Sequence, residues 1–282
     1  MKKSIIIIIL IAIAAIGSTQ LWAQKEFAHE FSAYASGGLS TFTYNLSLGD
    51  KSGGVGCDFG FGYSCTLPFR GENDAIGIYT GFGLGFYNAK AKIDNQSYTS
   101  PNEYIDGDGD KFELTSSLHG YKERQRGVYL NIPVMGEYQF EQYYVRTGFK
   151  FGLPINKKYI TSDAKLVNKA YYPELDSWVT DKEYAGCGAF TKSVDSRLDL
   201  GVAVLWALEA GYKLSLKSSL ALYLGVYFDY SLNNVAKAGN KSLVDIKVAD
   251  PAAFTLNSAM TTFTDKAHIM ALGVKASITW KK

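Results

Sequence analysis

Three aspartates alternate with glycine in one stretch of the chain, Asp106, Asp108 and Asp110. Carboxylates spaced in this way can supply oxygen ligands to a hard cation such as calcium. A helix–loop–helix calcium site has a glutamate at its twelfth position, but here Ser117 stands at that place. The pattern leaves two interpretations open, a weak surface calcium site and a solvated acidic loop.

A second group of ionisable residues stands on the polar side of segments in which apolar and small or polar residues alternate. If these segments are strands of a narrow barrel, the group faces the interior, where an isolated charge is costly. We therefore expect mutual pairing across the lumen, with water satisfying the remainder. Two roles stay open, a filled structural core and a narrow ion path or gate. The group comprises Asp58, Glu137, Asp199, Glu209 and Asp229 with Arg146, Lys150, Lys213 and Lys275.

The histidines give weaker grounds for chemistry. His119 has Asp110 and Ser117 nearby in the sequence, and His268 has Asp265 nearby, but no nucleophile motif accompanies either of them. Covalent catalysis requires a nucleophile, a base and an orienting group within reach of one another. The sequence predicts that the protein is not an enzyme, and it suggests no cofactor.

The chain has three cysteines. Cys57 and Cys65 lie eight residues apart on one predicted strand, which separates them by far more than the Cα distance of about 7 Å that a disulfide allows. A bond between Cys57 and Cys187 stays open if the loop that holds Cys187 folds over the end of that strand. No cysteine or histidine spacing is typical of zinc.

The stretch from Val128 to Leu153 shows which secondary-structure elements would position the ionisable residues. It has two arms of period two, which meet at Glu141-Gln142. Apolar residues occupy one face of each arm, and charged residues and glycine occupy the other. Each arm has about 10 to 13 residues, enough for a tilted strand to cross a bilayer. The stretch therefore predicts a transmembrane β-hairpin.

The same pattern recurs along the chain, so we predict an all-β fold, an eight-stranded antiparallel transmembrane β-barrel. The connections alternate in length, which predicts short periplasmic turns at 68–74, 141–142 and 215–219 and long extracellular loops at 89–126, 155–196 and 232–266. The ring must close, because an open sheet would expose unpaired edges to lipid. The predicted strands cover 31–43, 55–67, 76–86, 128–140, 143–153, 198–214, 220–230 and 268–280.

A soluble eight-stranded cup of the lipocalin kind has the same period but turns its apolar face inward. Three features favour the membrane barrel. Glycine concentrates on the polar face, the strands are longer than a cup needs, and aromatic residues recur near the strand ends as interfacial girdles would.

The N-terminus predicts the compartment. Lys2 and Lys3 precede an apolar run of 12 residues from Ile5 to Ile16, shorter than the roughly 20 of a membrane-spanning helix. We predict a signal peptide at 1–24 and a single barrel domain at 25–282, located in the bacterial outer membrane. Without Lys2 and Lys3, 27 of the 29 basic residues remain against 27 acidic ones, which gives no reason to expect nucleic-acid binding.

Several of these features together resemble the PorT-like outer-membrane β-barrel family of Bacteroidota. They are the predicted signal peptide ending in Ala23-Gln24, the glycine-rich alternating strands, the phrase from Tyr129 to Pro133, and a closing strand that includes Leu272 to Ala276. The family contains a secretion-system component and many barrels without an assigned role. The resemblance therefore implies an outer-membrane location and says little about activity.

Our leading prediction is a structural or interaction protein of the outer membrane. Its partners would be outer-membrane lipid and other envelope proteins, reached through the three long loops. The alternatives are a narrow channel for ions or small solutes and a component of a protein secretion system.

Overall fold

The computed structural model describes residues 27–70, 73–180, 186–236, 241–247 and 250–281, so the predicted signal peptide at 1–24 lies outside the described residues. No helix within these ranges is long and apolar enough to span a membrane. The described residues form fourteen strands and one short helix: β1 Ala28–Thr43, β2 Asp50–Pro68, β3 Asp74–Ile93, β4 Gln96–Ile105, β5 Lys111–His119, β6 Tyr121–Phe140, β7 Tyr143–Tyr172, β8 Ser177–Val179, β9 Gly188–Arg197, β10 Ala203–Lys217, β11 Leu220–Ser231, β12 Val244–Lys247, β13 Asp250–Leu256, α1 Ala259–Phe263 and β14 His268–Lys281.

Eight of these strands form a closed antiparallel ring in the order β1, β2, β3, β6, β7, β10, β11 and β14. The ring closes where β14 pairs with β1, for example Ala276 opposite Ala35. Each predicted strand corresponds to one member of the ring, so the eight-stranded antiparallel barrel is confirmed. Closure leaves every ring strand with two neighbours, which satisfies its backbone hydrogen bonds inside a bilayer.

The apolar face of the ring points outward. Val55, Leu39 and Val274 are 73%, 70% and 65% exposed, whereas Asn131 and Tyr129 on the inner face are fully buried. A soluble cup would have the opposite arrangement, and its exposed surface would not carry a continuous apolar band. The cup alternative is therefore wrong, and the outward band faces lipid.

The connections at one end of the ring are as short as predicted. β6 and β7 are joined by Glu141 and Gln142 alone, with Glu141 at a φ of 52°. Ser218 and Ser219 join β10 to β11. These are the periplasmic turns of the barrel.

The predicted long loops 89–126 and 155–196 contain strands, so the prediction that residues 163–190 contribute no strand is wrong. Above the membrane, β3, β6 and β7 continue their pairing, and the β4–β5 hairpin, β8 and β9 add further strands to the same sheet. We call this part of the protein the extracellular sheet. The extracellular sheet forms because the long strands extend beyond the membrane, where their apolar side chains pack against one another instead of facing lipid.

The extracellular sheet has its own hydrophobic core. Leu114, Leu118, Ile93 and Leu166 are fully buried there, together with Leu256 from the β12–β13 hairpin. This hairpin and α1, all within the predicted loop 232–266, fold onto the sheet as a cap. The cap shields apolar side chains that would otherwise face water, so burial stabilises the assembly of sheet and cap.

The cysteines lie in different layers of the molecule. Cys57 is exposed on the outer surface of β2, and Cys187 is buried in the core of the extracellular sheet. The Cys57–Cys187 bond that the sequence left open is thereby ruled out, because the loop holding Cys187 folds into the sheet core instead of over β2.

Candidate functional site: a filled lumen below an extracellular sheet

Arg146 lies at the centre of the lumen between two carboxylates. It donates to Glu137 and to Glu209, each at 3.1 Å, and all three side chains are almost fully buried. The strand register explains the contact, because Arg146 on β7 is directly opposite Glu137 on β6 and Glu209 on β10. The guanidinium also lies 4.1 Å from the centre of the Tyr79 ring. One cation is thus held by two anions and an aromatic face.

Two lysines extend this arrangement across the lumen. Lys275 on β14 lies 2.6 Å from Glu209 on β10, although β11 separates their strands. Lys150 lies 2.6 Å from Asp229 and 3.9 Å from Asp58 on the far side of the ring. The pairs therefore tie together strands that are not neighbours in the sheet.

A further pair lies toward the periplasmic end. Lys213 donates to Glu30 at 2.9 Å, and Tyr223 donates to the same carboxylate at 2.6 Å. Glu30 is missing from the group that the sequence suggested. The alternation along the first strand could have identified it, because Glu30 precedes the outward-facing Phe31 and must therefore point inward.

Eight of the nine residues in the predicted charge group lie in the lumen, and Asp199 does not. It precedes β10, its side chain is 41% exposed, and it pairs with Lys241 outside the ring. The sequence suggested a sixth strand over 198–214, but the sheet begins at Ala203. Leu198 and Leu200 are fully buried, and they turn the exposed Asp199 away from the lumen.

Side chains fill the lumen. Two cavities between the lumen side chains have volumes of about 20 and 10 Å³, each enough for a single water molecule at most. Glycines on the inner face make this packing feasible. A Cβ atom at Gly83 would lie 2.1 Å from the Tyr34 hydroxyl, and one at Gly62 would lie 2.4 Å from the Tyr79 hydroxyl.

An apolar cluster closes the extracellular mouth of the ring. Phe42, Tyr129, Leu205 and Ile269 from the upper ends of ring strands are fully buried there, and Met260 of α1 packs among them. The mouth is therefore sealed by a hydrophobic layer, above which lies the core of the extracellular sheet.

Glu123 joins the cap to the extracellular sheet. Its buried carboxylate accepts hydrogen bonds from Tyr121, from Gln125 at 2.9 Å, from the Ser258 hydroxyl and from the Ala259 backbone N–H at 2.7 Å. Burial raises the pKa of Glu123, while these four donors oppose the shift. The last two donors belong to the start of α1, so this carboxylate connects α1 to β6.

Asp106 serves the β4–β5 turn. One of its carboxylate oxygens accepts from the backbone N–H groups of Asp108 and Asp110, at 3.0 and 2.9 Å, and the other accepts from the Tyr172 hydroxyl at 3.0 Å. Asp108 and Asp110 are exposed. Within the described residues, no group of three or more His, Cys, Asp or Glu side chains is arranged to hold a metal ion.

The hydrogen bonds of the histidines go to residues other than those that the sequence placed beside them. His119 contacts Asn95 at 2.8 Å, Ser117 contacts Ser97 on the neighbouring strand, and His268 contacts the backbone oxygen of Ser231 at 2.9 Å. These contacts connect strands and turns of the sheet.

A closed ring with an apolar outer band and a filled polar interior defines an integral outer-membrane β-barrel. The chain matches the model of the outer membrane protein beta-barrel domain family over residues 22–237, more than half of its length, and it belongs to that family. The match ends before β14, the strand that closes the ring.

Matches among solved structures are remote in sequence. They include the attachment invasion locus protein Ail of Yersinia pestis in complex with the heparin analogue sucrose octasulfate, at 8% identity over 90% of this chain and 97% of that one, with a TM-score of 0.25. The outer membrane protease OmpT from Escherichia coli matches at 12% identity over 92% and 97%, with a TM-score of 0.27. Neisserial surface protein A matches at 9% identity over 89% and 94%, with a TM-score of 0.22. A search of curated proteins gave no match.

Proposed function

We propose that this protein is a recognition protein of the outer membrane, which holds the extracellular sheet in a fixed position so that its tip can bind another envelope or surface protein. The observation that carries the proposal is the extracellular sheet itself. β7 continues for 19 residues beyond Leu153, about 60 Å of strand, and its far end packs in a hydrophobic core.

The tip of the extracellular sheet carries apolar side chains that none of the described residues covers. Trp178 and Leu175 are 55% and 69% exposed, and Ile105 on the neighbouring hairpin is 54% exposed. The Trp178 ring packs against Tyr171 with 4.9 Å between ring centres, so its position is fixed before any partner arrives. Exposed aromatic residues on a rigid element are the usual anchors of protein interfaces.

The filled lumen supports this role over that of a channel. Buried ion pairs occupy the middle of the ring, and the apolar cluster covers its mouth. An ion would have to displace both. The mature protein, refolded into a planar bilayer, should show no unitary conductance, and a reproducible conductance would favour the channel.

The hydrogen bonds of His119 and Ser117 support a role without catalysis. His119 and Ser117 bond to different residues of neighbouring turns and strands. We propose that the protein acts by binding alone.

The phrase from Tyr129 to Pro133 supports a place near the PorT-like barrels of Bacteroidota. A protein partner at the tip would be compatible with a component of a secretion system. Export through the predicted signal peptide at 1–24 belongs to the same proposal.

Site-specific crosslinking tests the recognition role. A photo-reactive amino acid in place of Trp178, in cells that carry the protein in their outer membrane, should give a discrete crosslinked product. The same residue at Lys241, which is exposed but lies away from the tip, is the control. Identical patterns from both positions would contradict recognition at the tip.

A further inference from the structure

The outward face of β3, β6 and β7 changes from apolar to cationic at one level. Leu84 pairs with Leu130, and Phe86 pairs with Val128, within the lipid-facing band. In the next three rows toward the extracellular end, the outward positions of these strands hold mainly lysine and arginine. The cations of the three rows are Arg126 and Lys158, then Lys90 and Arg124, then Lys92 and Lys122.

Like charges face each other directly in these rows. Arg126 is opposite Lys158, Lys90 is opposite Arg124, and Lys92 is opposite Lys122. Such cross-strand pairs are destabilising in isolation. The chain alone gains nothing from three of them in succession, so the arrangement calls for a counter-charge from outside.

Acidic side chains compensate only the rim of this surface. Lys158 lies 3.2 Å from Asp195, and Lys92 lies 3.8 Å from Asp94. Lys92 is also directly opposite Asp50 on β2, at the outer row of the surface. For Lys90, Lys122, Arg124 and Arg126, no carboxylate of the described residues lies within 4 Å of the charged nitrogens. Four cations therefore remain available on one face.

These cations surround a cleft of about 580 Å³ on the outer wall of the protein. Lys90, Lys92, Lys122 and Arg124 line it, with Asp50 and Ser52 on the β2 side and Ser162 and Ile160 on the β7 side. The cleft offers cationic groups and a hydroxyl beside an apolar wall. Such a lining suits a phosphorylated sugar.

The position of the cleft identifies the source of the phosphate. The three rows lie about 7 to 20 Å along the strands beyond the Phe86–Val128 row, or about 5 to 15 Å along the membrane normal at a tilt of about 40°. They therefore begin at the headgroup layer and extend above it. A lipid that carries its phosphates on a sugar presents charge at this height while its acyl chains contact the apolar band.

We propose that the cleft is a binding site for a phosphorylated glycolipid of the outer leaflet, with Lys90 and Arg124 as its central phosphate ligands. Arg124 can hold a phosphate with two parallel hydrogen bonds, and Lys90 supplies a point charge directly opposite. The site lies on the outer wall near the membrane, away from Trp178 at the tip. The proposal therefore stands independently of partner binding there.

Native mass spectrometry of the protein released from detergent micelles tests the proposal, with diphosphorylated lipid A as the probe. The wild type should retain one lipid A, and should retain its dephosphorylated form far less. The double variant K90Q/R124Q should bind about 30-fold more weakly. The variant K90R/R124K should keep most of the binding. Lys165 and Lys169 lie on the same sheet further from the membrane, so K165Q/K169Q is the charge-matched control and should bind as the wild type does.

Three results would overturn the proposal. The first is equal retention by wild type and K90Q/R124Q, with both barrels folded as judged by heat-modifiable migration on gels. The second is equal retention of lipid A and its dephosphorylated form. The third is full displacement by millimolar inorganic pyrophosphate, which would indicate a site for free phosphate instead of a lipid.

Discussion

The ring in the membrane and the extracellular sheet are built from the same strands, but their apolar side chains lie on opposite faces. On β6, the outward residues Val128, Leu130 and Ile132 are apolar within the ring, and inward Glu137 is buried with its partners. Further up the same strand, outward Lys122 and Arg124 are charged. The side-chain alternation continues unbroken, whereas the hydrophobicity of each face inverts.

This inversion marks where the lipid ends. In the bilayer, apolar side chains face outward because lipid is their solvent, and polar groups must find partners inside. Above it, water surrounds the sheet, and apolar side chains such as Tyr121 and Leu166 turn inward. The row of Arg126 therefore lies at the boundary between two solvents.

The largest effect should come from removing the central cation of the lumen. Arg146→Met leaves the buried carboxylate of Glu137 without its ion-pair partner and removes one of the two cations beside Glu209. This change should lower the free energy of unfolding by about 3 to 5 kcal/mol. Urea unfolding in lipid vesicles measures the change.

The matched control removes an ion pair from the extracellular sheet on the same strand. Lys158 and Asp195 are 36% and 58% exposed, so Lys158→Met should cost no more than about 1 kcal/mol. Equal losses for the two variants would mean that the lumen pairs are no more important than surface pairs.

A charged substitution should destabilise the protein in the lipid-facing band much more than on the exposed face of the extracellular sheet. Val134 is an outward residue near the middle of the β6 crossing, so Val134→Arg should cost about 2 to 4 kcal/mol. Thr99→Arg, on the exposed face of β4, should change stability by less than about 0.5 kcal/mol. Vesicle unfolding curves decide this comparison, and a neutral Val134→Arg would count against the position of the band.

A smaller and local effect is expected at the junction of the cap. Glu123→Ala leaves Tyr121, Ser258 and the Ala259 N–H without their acceptor, which should cost about 1 to 3 kcal/mol in local opening. Hydrogen exchange should speed up in residues 254–261 and stay unchanged in the ring. Glu103→Ala, at an exposed pair with Lys111, is the control. Faster exchange throughout the ring would contradict a local role.

The raised pKa of Glu123 predicts that the stability of the cap depends on pH. Because the pKa of Glu123 is raised in the folded protein, its protonation favours the folded cap. This contribution is complete below the unfolded pKa of about 4.5 and is lost as the pH rises through the folded pKa. Cap exchange, corrected for its intrinsic rate, should therefore be slowest near pH 4. Glu123→Gln should remove this dependence, and an identical pH profile in that variant would refute the assignment.

The sequence predicted the ring well because one physical rule governs all eight strands. Lipid on one side and a narrow interior on the other impose a strict period of two, which is visible in Val55 to Leu67 and in Leu220 to Tyr230. Period alone does not tell which face is outside. The exposure of Val55 and Leu39 decided that point.

The extracellular sheet was not predicted, because its strands do not separate apolar and polar side chains onto two faces as the ring strands do. Lys90 to Ile93 and Tyr121 to Gln125 continue the alternation, but with buried polar groups such as Glu123 among the apolar ones. Their burial depends on the cap, whose residues come from more than a hundred positions further along. Asp199 was misplaced for a related reason, since the tertiary burial of Leu198 and Leu200 overrides the local period.

Tryptophan quenching tests the inversion between the two regions most directly. Trp206 faces outward within the ring and Trp178 lies at the tip of the extracellular sheet. Two variants, each with Trp280 replaced by phenylalanine and with only one of these two tryptophans retained, can be reconstituted in vesicles. Bromine atoms on the lipid chains should quench Trp206 strongly and leave Trp178 unaffected, while aqueous acrylamide should do the reverse. Strong quenching of Trp178 by brominated chains, or protection of Trp206 from them, would contradict the account.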